Sequence, residues 1–144
     1  MAIFLPILIT VVVGLAIASQ TQFAGILGQH VGIMESVFII HLGGLLAAGI
    51  YLLFIGGGTI GAWRTAPTYT LLGGLLGVII VGGYAFIVPR IGLASAITLT
   101  VATQLIFSAI LSSLGAFGAI QQPLTVSRIA GVLVLLIGTW LIVR

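Results

Sequence analysis

Five long apolar runs restrict this chain to one class of fold. They cover residues 3–19, 33–55, 69–88, 93–114 and 124–143. Each has roughly 17 to 23 residues, and at about 1.5 Å per residue a helix of that length spans a hydrocarbon core of about 30 Å. None alternates apolar and polar residues over about 10 positions, as the strands of a membrane β-barrel do. The runs therefore predict an all-α integral membrane protein, with residues 1–144 forming a single domain of five transmembrane helices.

The composition excludes most other classes of function. The chain is 61% hydrophobic and 3% charged, whereas a soluble domain has about 25% charged residues. It contains no cysteine, which rules out disulfides and thiolate metal sites. The sequence has no phosphate loop, metal cluster or nucleophile with its base, so we expect neither an enzyme nor a cofactor. The net charge of +3 is spread over single arginines, so we also expect no nucleic-acid partner.

The four arginines give no preferred orientation in the bilayer. With five spans, Arg64 and Arg128 fall on the N-terminal side, and Arg90 and Arg144 fall on the opposite side. The Lys/Arg bias that normally fixes the direction of insertion is therefore missing. This balance predicts either insertion in both directions or an oppositely inserted partner, although four arginines also balance by chance. An antiparallel pair would form the inverted repeat of many transporters, with a binding site at the repeat interface.

Glu35 is the only acidic residue of the chain, and it lies at the start of the second apolar run. Ionisable groups in such a setting are costly, and they are usually functional or paired. Under a functional hypothesis, Glu35 binds protons or a cation. Under a structural hypothesis, Glu35 is a first-turn carboxylate that the helix dipole stabilises and that forms an ion pair with Arg90. We favour the functional hypothesis, because a dipole effect below about 1 kcal/mol rarely justifies a charge in lipid.

His41 is the second candidate on this helix. It lies six residues after Glu35, about 9 Å further along the axis and about 120° around the helix, so the two side chains do not share a face. It is either a proton-relay partner or a neutral hydrogen-bonding group between helices. Gln20 and Gln22, at the end of the first run, are expected at the same membrane face as Glu35. They are either site residues or boundary residues.

The fourth apolar run carries a polar stripe. Its members are Thr100, Gln104, Ser108 and Ser112 at successive i+4 positions, with Thr103 alongside. Such a stripe must face protein or water, so it either lines a substrate path or provides hydrogen bonds between helices. Gln104 is the best candidate for a path, since its amide has both donors and acceptors. In the third run, Gly73 and Gly77 have the GxxxG spacing that predicts a helix-packing face.

Several segments resemble a known family. The two strongest are Val88-Pro89-Arg90-Ile91-Gly92-Leu93-Ala94-Ser95-Ala96 and Thr103-Gln104-Leu105-Ile106-Phe107-Ser108-Ala109-Ile110-Leu111. Further matches are Pro67 with residues 72–77, the turn at residues 114–118, and Pro123-Leu124 through residues 128–131. Together they resemble the YdcZ-type family, also called transporter family-2, of the drug/metabolite transporter superfamily. The resemblance covers essentially the whole chain.

The resemblance implies an integral protein of the bacterial inner membrane. It also implies a five-helix protomer similar to half of a ten-helix transporter, working as an antiparallel homodimer or with an oppositely inserted homologue. The chain departs from the family pattern at Ser112-Ser113, where members often have an aspartate and a histidine, and at Thr68-Tyr69, where they have an aromatic pair. A proton-antiport mechanism therefore does not follow from the resemblance.

These observations together predict a secondary transporter. We expect it to move a small polar or cationic solute across the lipid bilayer by alternating access, with protons coupled through Glu35. One alternative is a small dual-topology channel, whose pore would be lined by Thr100, Gln104 and Ser108. The other is a membrane assembly subunit without a transport role.

Overall fold

The structure, a computed structural model, describes residues 4–144 and is helical throughout. Its five long helices are α1 Phe4–Val31, α2 Ile33–Phe54, α3 Gly73–Ile91, α4 Leu93–Leu114 and α5 Val126–Val143. Short 3₁₀ helices cover Ile60–Thr65, Thr68–Leu72 and Ala116–Gly118. Five segments are long and apolar enough to cross a membrane, and no strand occurs within the described range. The predictions of an all-α fold and of five membrane-spanning helices are confirmed.

Helix α1 is longer than the first apolar run. It continues through Gln20 and Gln22 to Val31 and has 28 residues, about 42 Å at 1.5 Å per residue. Glutamine is a good helix former, and a polar side chain does not interrupt the hydrogen bonds of the backbone. The helix ends only at Gly32, where the backbone leaves the helical region. The two glutamines therefore lie within a helix and not in the connection that the sequence predicted.

Single glycines connect α1 to α2 and α3 to α4. Gly32 has φ +105° and ψ 157°, and Gly92 has φ +80° and ψ 159°, a region that is essentially restricted to glycine. The carbonyl of Gly32 accepts a hydrogen bond from the N–H of Ser36 at 3.0 Å, and the carbonyl of Gly92 accepts one from the N–H of Ala96 at 3.1 Å. Each glycine thus ends one helix and starts the next without a loop.

The chain divides into two compact units, of which the first ends at Arg90 and the second is Ile91–Arg144. Small residues hold the first unit together. A Cβ added to Gly25 of α1 would lie 2.8 Å from Cγ1 of Val88, and one added to Gly28 would lie 3.0 Å from Cβ of Ala85. Backbones that approach this closely gain packing contacts that lipid cannot replace. Glycines on α1 therefore form its contact with α3.

The predicted packing face at Gly73 and Gly77 is present in part. Gly77 lies against the ring of His41, whereas no neighbouring atom of residues 4–144 lies within 4 Å of a Cβ added to Gly73. Between α1 and α2, the hydroxyl of Ser36 is fully buried and donates a hydrogen bond to the carbonyl of Ala24 at 3.3 Å. The close contacts of the first unit therefore include both glycines and the buried hydroxyl of Ser36.

In the second unit α4 packs against α5. Gly115 ends α4 in the left-handed conformation, and the N–H of Gln122 returns to the carbonyl of Ser112 at 2.9 Å. Thr125 then caps α5 by accepting a hydrogen bond from the N–H of Arg128. These bonds fix the connection between the helices beside the C-terminal end of α4.

Candidate functional site

Glu35 lies at the corner where α1 meets α2. It is the third residue of α2, and its carboxylate folds back over Gly32, into the space that a side chain at Gly32 would fill. The side chain is exposed, and it makes no hydrogen bond to any residue between 4 and 144. A carboxylate in the first turn of a helix is stabilised by the positive end of the helix dipole. The corner therefore holds a carboxyl group that no other side chain of the described residues pairs with.

The alternative of an ion pair between Glu35 and Arg90 is not seen. No carboxylate lies within 4.0 Å of a basic group in the described part of the chain. The guanidinium of Arg90 instead donates to the carbonyl of Phe86 and stacks on the Phe86 ring, 3.5 Å from its centroid. Arg90 is thus held on its own helix, where a cation near the C-terminal end is favoured.

His41 lies on a different face of α2 and packs on α3. Its Nδ1 is 2.8 Å from the carbonyl oxygen of Val37. A carbonyl can only accept, so Nδ1 carries the hydrogen and Nε2 of the neutral ring keeps a free lone pair. Nε2 lies 2.9 Å from the position that a Cβ on Gly77 would take. His41 therefore presents a proton acceptor to a gap on α3, separate from the Glu35 corner.

Gln20 and Gln22 lie further from the corner than Glu35. Along α1 they precede Gly32 by twelve and ten residues, about 18 Å and about 15 Å, whereas Glu35 follows Gly32 by three residues, about 4.5 Å. Gln20 is exposed and Gln22 is half-buried, and neither side chain has a hydrogen-bond partner in the described residues. The structure does not bring either glutamine to Glu35.

The polar stripe of α4 belongs to the second unit. Thr100 donates to the carbonyl of Ala96 at 2.8 Å, and Ser108 donates to that of Leu105 at 3.0 Å. Hydroxyls that bond within their own helix do not need a partner elsewhere. Gln104 differs, because it is exposed and its amide has no such bond among residues 4–144.

A cavity of about 530 Å³ lies between α4 and α5. Ser108 and Ser112 line it from α4, together with Gln122 and Arg128, and its remaining wall is mostly apolar. The guanidinium of Arg128 donates to the side-chain oxygen of Gln122 and to the carbonyl of Pro123. The cavity can therefore take a molecule that is apolar over most of its surface and polar at one end.

Sequence reasoning missed two features of these sites. Gln122 and Arg128 line the same cavity as Ser112 because the connection between α4 and α5 folds back on the end of α4. This fold depends on a hydrogen bond from the N–H of Gln122 to the carbonyl of Ser112, which no sequence motif predicts. The contact between His41 and Gly77 was also not predicted. The GxxxG spacing predicted that Gly77 lies on a packing face, but it did not identify His41 as the contact. No cluster of three or more potential metal ligands occurs within residues 4–144.

One comparison with known proteins gave a match. A family model described as "Putative inner membrane exporter, YdcZ" matches residues 5–141. No match was found among curated proteins or among solved structures. The matched range includes all five long helices except the ends of α1 and α5.

Proposed function

The chain belongs to the YdcZ family of inner-membrane exporters, and on that basis we propose that it is a secondary transporter of a small polar or cationic solute, coupled to protons through Glu35. The family description and the five apolar helices make it an integral protein of the inner membrane. Export by this family identifies neither the solute nor the coupling ion, so these parts of the proposal depend on the residues.

The observation that carries the proposal is that the carboxyl group of Glu35 has no partner among the described residues. It is the only carboxylate of the chain, and no ion pair or hydrogen bond neutralises it within the described residues. A single open carboxylate can bind a proton or a cationic group but not both at once. Because the two ligands exclude each other at one site, binding of one releases the other, and this exchange couples their movements.

Alternating access needs the site to open to each side of the membrane in turn. An antiparallel homodimer, or a pair with an oppositely inserted homologue, would place one Glu35 corner toward each side. The balance of Arg64 and Arg128 against Arg90 and Arg144 supports such a pair, since it leaves neither orientation preferred. Transport then requires two oppositely oriented copies.

The test measures proton release from proteoliposomes. Purified protein is reconstituted with an entrapped pH-sensitive dye, a pH gradient is imposed, and tetramethylammonium, choline and ethanolamine are added as probes. We expect the wild type to exchange protons for at least one probe. Glu35→Gln, which keeps the shape but cannot ionise, should abolish the exchange, and Glu35→Asp should retain part of it.

Gln29→Ala is the matched control, since Gln29 is also exposed near this corner and has no role in the proposal. It should transport as the wild type does. Coupled flux that is unchanged in Glu35→Gln would remove Glu35 from the mechanism and overturn the proposal.

A second candidate function is a channel. It is favoured by the cavity between α4 and α5, which Ser108 and Ser112 line. A channel needs no titrating group, so its flux should be insensitive to Glu35→Gln and should far exceed transporter turnover. A non-transporting assembly subunit would show no flux of any probe.

A further inference from the structure

The cavity between α4 and α5 has hydrogen-bond donors at one end. Ser112, Gln122 and Arg128 line it there. The hydroxyl of Ser112 makes no hydrogen bond within residues 4–144. The side-chain oxygen of Gln122 accepts from the guanidinium of Arg128, so the N–H groups of that amide remain free to donate. Arg128 donates otherwise only to the carbonyl of Pro123, and its guanidinium has further N–H groups. This end of the cavity therefore favours a ligand that accepts hydrogen bonds.

No side chain of the second unit neutralises the charge of Arg128. The only acidic residue of the chain is Glu35, which belongs to the first unit. Both oxygens that accept from Arg128 are neutral. Arg128 is also the third residue of α5, where the positive end of the helix dipole disfavours a cation. The positive charge and the dipole therefore favour an anion at the same end of the cavity.

The other three arginines are held in a different way. Each lies over an aromatic ring, a contact that stabilises a guanidinium. The pairs are Arg64 with Trp63 at 5.8 Å, Arg90 with Phe86 at 3.5 Å and Arg144 with Trp140 at 4.4 Å, measured to the ring centroid. Arg128 has no ring contact within the described range and borders a cavity instead. It is therefore the arginine that is available for a ligand.

Away from the donors the cavity is apolar and extends along both helices. Leu105 lies seven residues before Ser112 on α4, and Leu135 lies seven residues after Arg128 on α5, about 10 Å along each axis. With 22 residues, α4 is about 33 Å long and matches the hydrocarbon core of about 30 Å. The donors therefore lie at the level of the lipid headgroups, and the apolar walls lie at the level of the acyl chains.

We propose that this cavity binds one anionic phospholipid of the surrounding bilayer. The phosphate accepts hydrogen bonds from Arg128, Ser112 and Gln122, and one acyl chain lies against Leu105 and Leu135. A guanidinium can hold two phosphate oxygens at once, and basic pockets between transmembrane helices bind anionic headgroups. The inference goes beyond the proposed function and does not depend on it.

The shape of the cavity favours a lipid over a soluble anion. Its volume of about 530 Å³ lies within the range of about 300 to 1,000 Å³ that is typical of small-molecule sites. It therefore takes the phosphate and part of one chain, while the second chain remains in the bilayer. Each CH₂ that is buried strengthens binding about fourfold, corresponding to about 0.8 kcal/mol. A free phosphate gains nothing from the apolar walls.

The charge requirement is tested by native mass spectrometry of the protein in an uncharged detergent. Dioleoyl-phosphatidylglycerol and dioleoyl-phosphatidylcholine have the same chains, but only the first has a net negative charge. We expect the wild type to bind the first phosphatidylglycerol about fivefold more tightly, corresponding to about 1 kcal/mol for one arginine. Equal affinity for the two lipids would overturn the proposal.

Arg128→Gln keeps hydrogen-bond donors and removes the charge, so it should lose this fivefold preference. Arg90→Gln is the matched control, because it removes the same charge from a side chain that is stacked on Phe86. It should bind phosphatidylglycerol as the wild type does. An equal loss in both variants would show a response to net charge alone and overturn the site.

The position of the acyl chain is tested by filling the cavity away from Arg128. Gly131 lines the cavity, and Gly138 lies on the same helix but not among its lining residues. A Cβ added to either glycine meets no neighbouring atom of residues 4–144 within 4 Å, so neither position requires glycine for packing. Gly131→Leu should weaken phosphatidylglycerol binding by at least about fourfold, and Gly138→Leu should leave it unchanged. Equal affinity in these two variants would overturn the placement of the chain.

Two competitors distinguish a bilayer lipid from other sources of the same negative charge. Glycerol 3-phosphate has the phosphate without the chains, and dodecanoate is a single-chain carboxylate. We expect phosphatidylglycerol to bind more tightly than either competitor. Displacement of the lipid by an equal concentration of glycerol 3-phosphate would show a site for free phosphate. Tighter binding of dodecanoate would show a site for a carboxylate solute. Either result would overturn the phospholipid.

Discussion

Replacing Gly32 with alanine tests whether the α1–α2 corner positions Glu35. At φ +105° and ψ 157° an alanine is strained, and its Cβ would meet the Glu35 carboxylate. The backbone strain should cost about 1 to 3 kcal/mol of folding free energy. The carboxylate is the flexible end of a side chain, so it moves aside at little further cost. Gly32→Ala should therefore lower stability and displace Glu35 together.

Gly92 separates these two effects. Its φ of +80° and ψ of 159° are close to those of Gly32, but among residues 4–144 no neighbouring heavy atom lies within 4 Å of an added Cβ. Gly92→Ala therefore carries the backbone strain alone. We expect both variants to lose about 1 to 3 kcal/mol of unfolding free energy, and only Gly32→Ala to change proton coupling.

The assay has two parts. Unfolding in detergent is followed by the fluorescence of Trp63 and Trp140, and proton release is measured in proteoliposomes that contain equal amounts of folded protein. Gly32→Ala should release fewer protons for each solute molecule moved, whereas Gly92→Ala should couple as the wild type does. Equal loss of coupling in both variants would refute the reasoning, because strain at either corner would then explain it without Glu35.

Two further predictions concern packing and orientation. Gly28→Ala should cost about 1 to 3 kcal/mol in the unfolding assay, because its Cβ would lie 3.0 Å from Cβ of Ala85, which cannot move without its backbone. Gly14→Ala has open space in the same helix and should not destabilise, so equal losses in the two variants would contradict the α1–α3 contact. Arg144→Gln leaves two arginines on the N-terminal side and one on the opposite side, so a C-terminal tag should face mainly the periplasm and become accessible in spheroplasts. A tag that remains evenly divided would show that the arginines do not set the orientation.

The sequence predicted the bounds of α4 correctly but not the end of α1. The predicted range 93–114 coincides with α4, because Gly92 and Gly115 flank it and both have positive φ. The observed end of α1 lies twelve residues beyond the end of the first apolar run, because the apolar run stops at Gln20 whereas the helix continues to Val31. Hydropathy reports where a segment leaves lipid, whereas the hydrogen bonds of the backbone decide where a helix ends.

The sequence identified individual candidate residues of the site, but it did not predict the contacts between them. Glu35 stands out because no other carboxylate exists in the chain. Its relation to Arg90 could not be predicted, because it depends on a rotamer that places the guanidinium on Phe86. The contact of His41 with Gly77 depends on how α2 packs on α3, and spacing along one helix does not determine which helix it will meet.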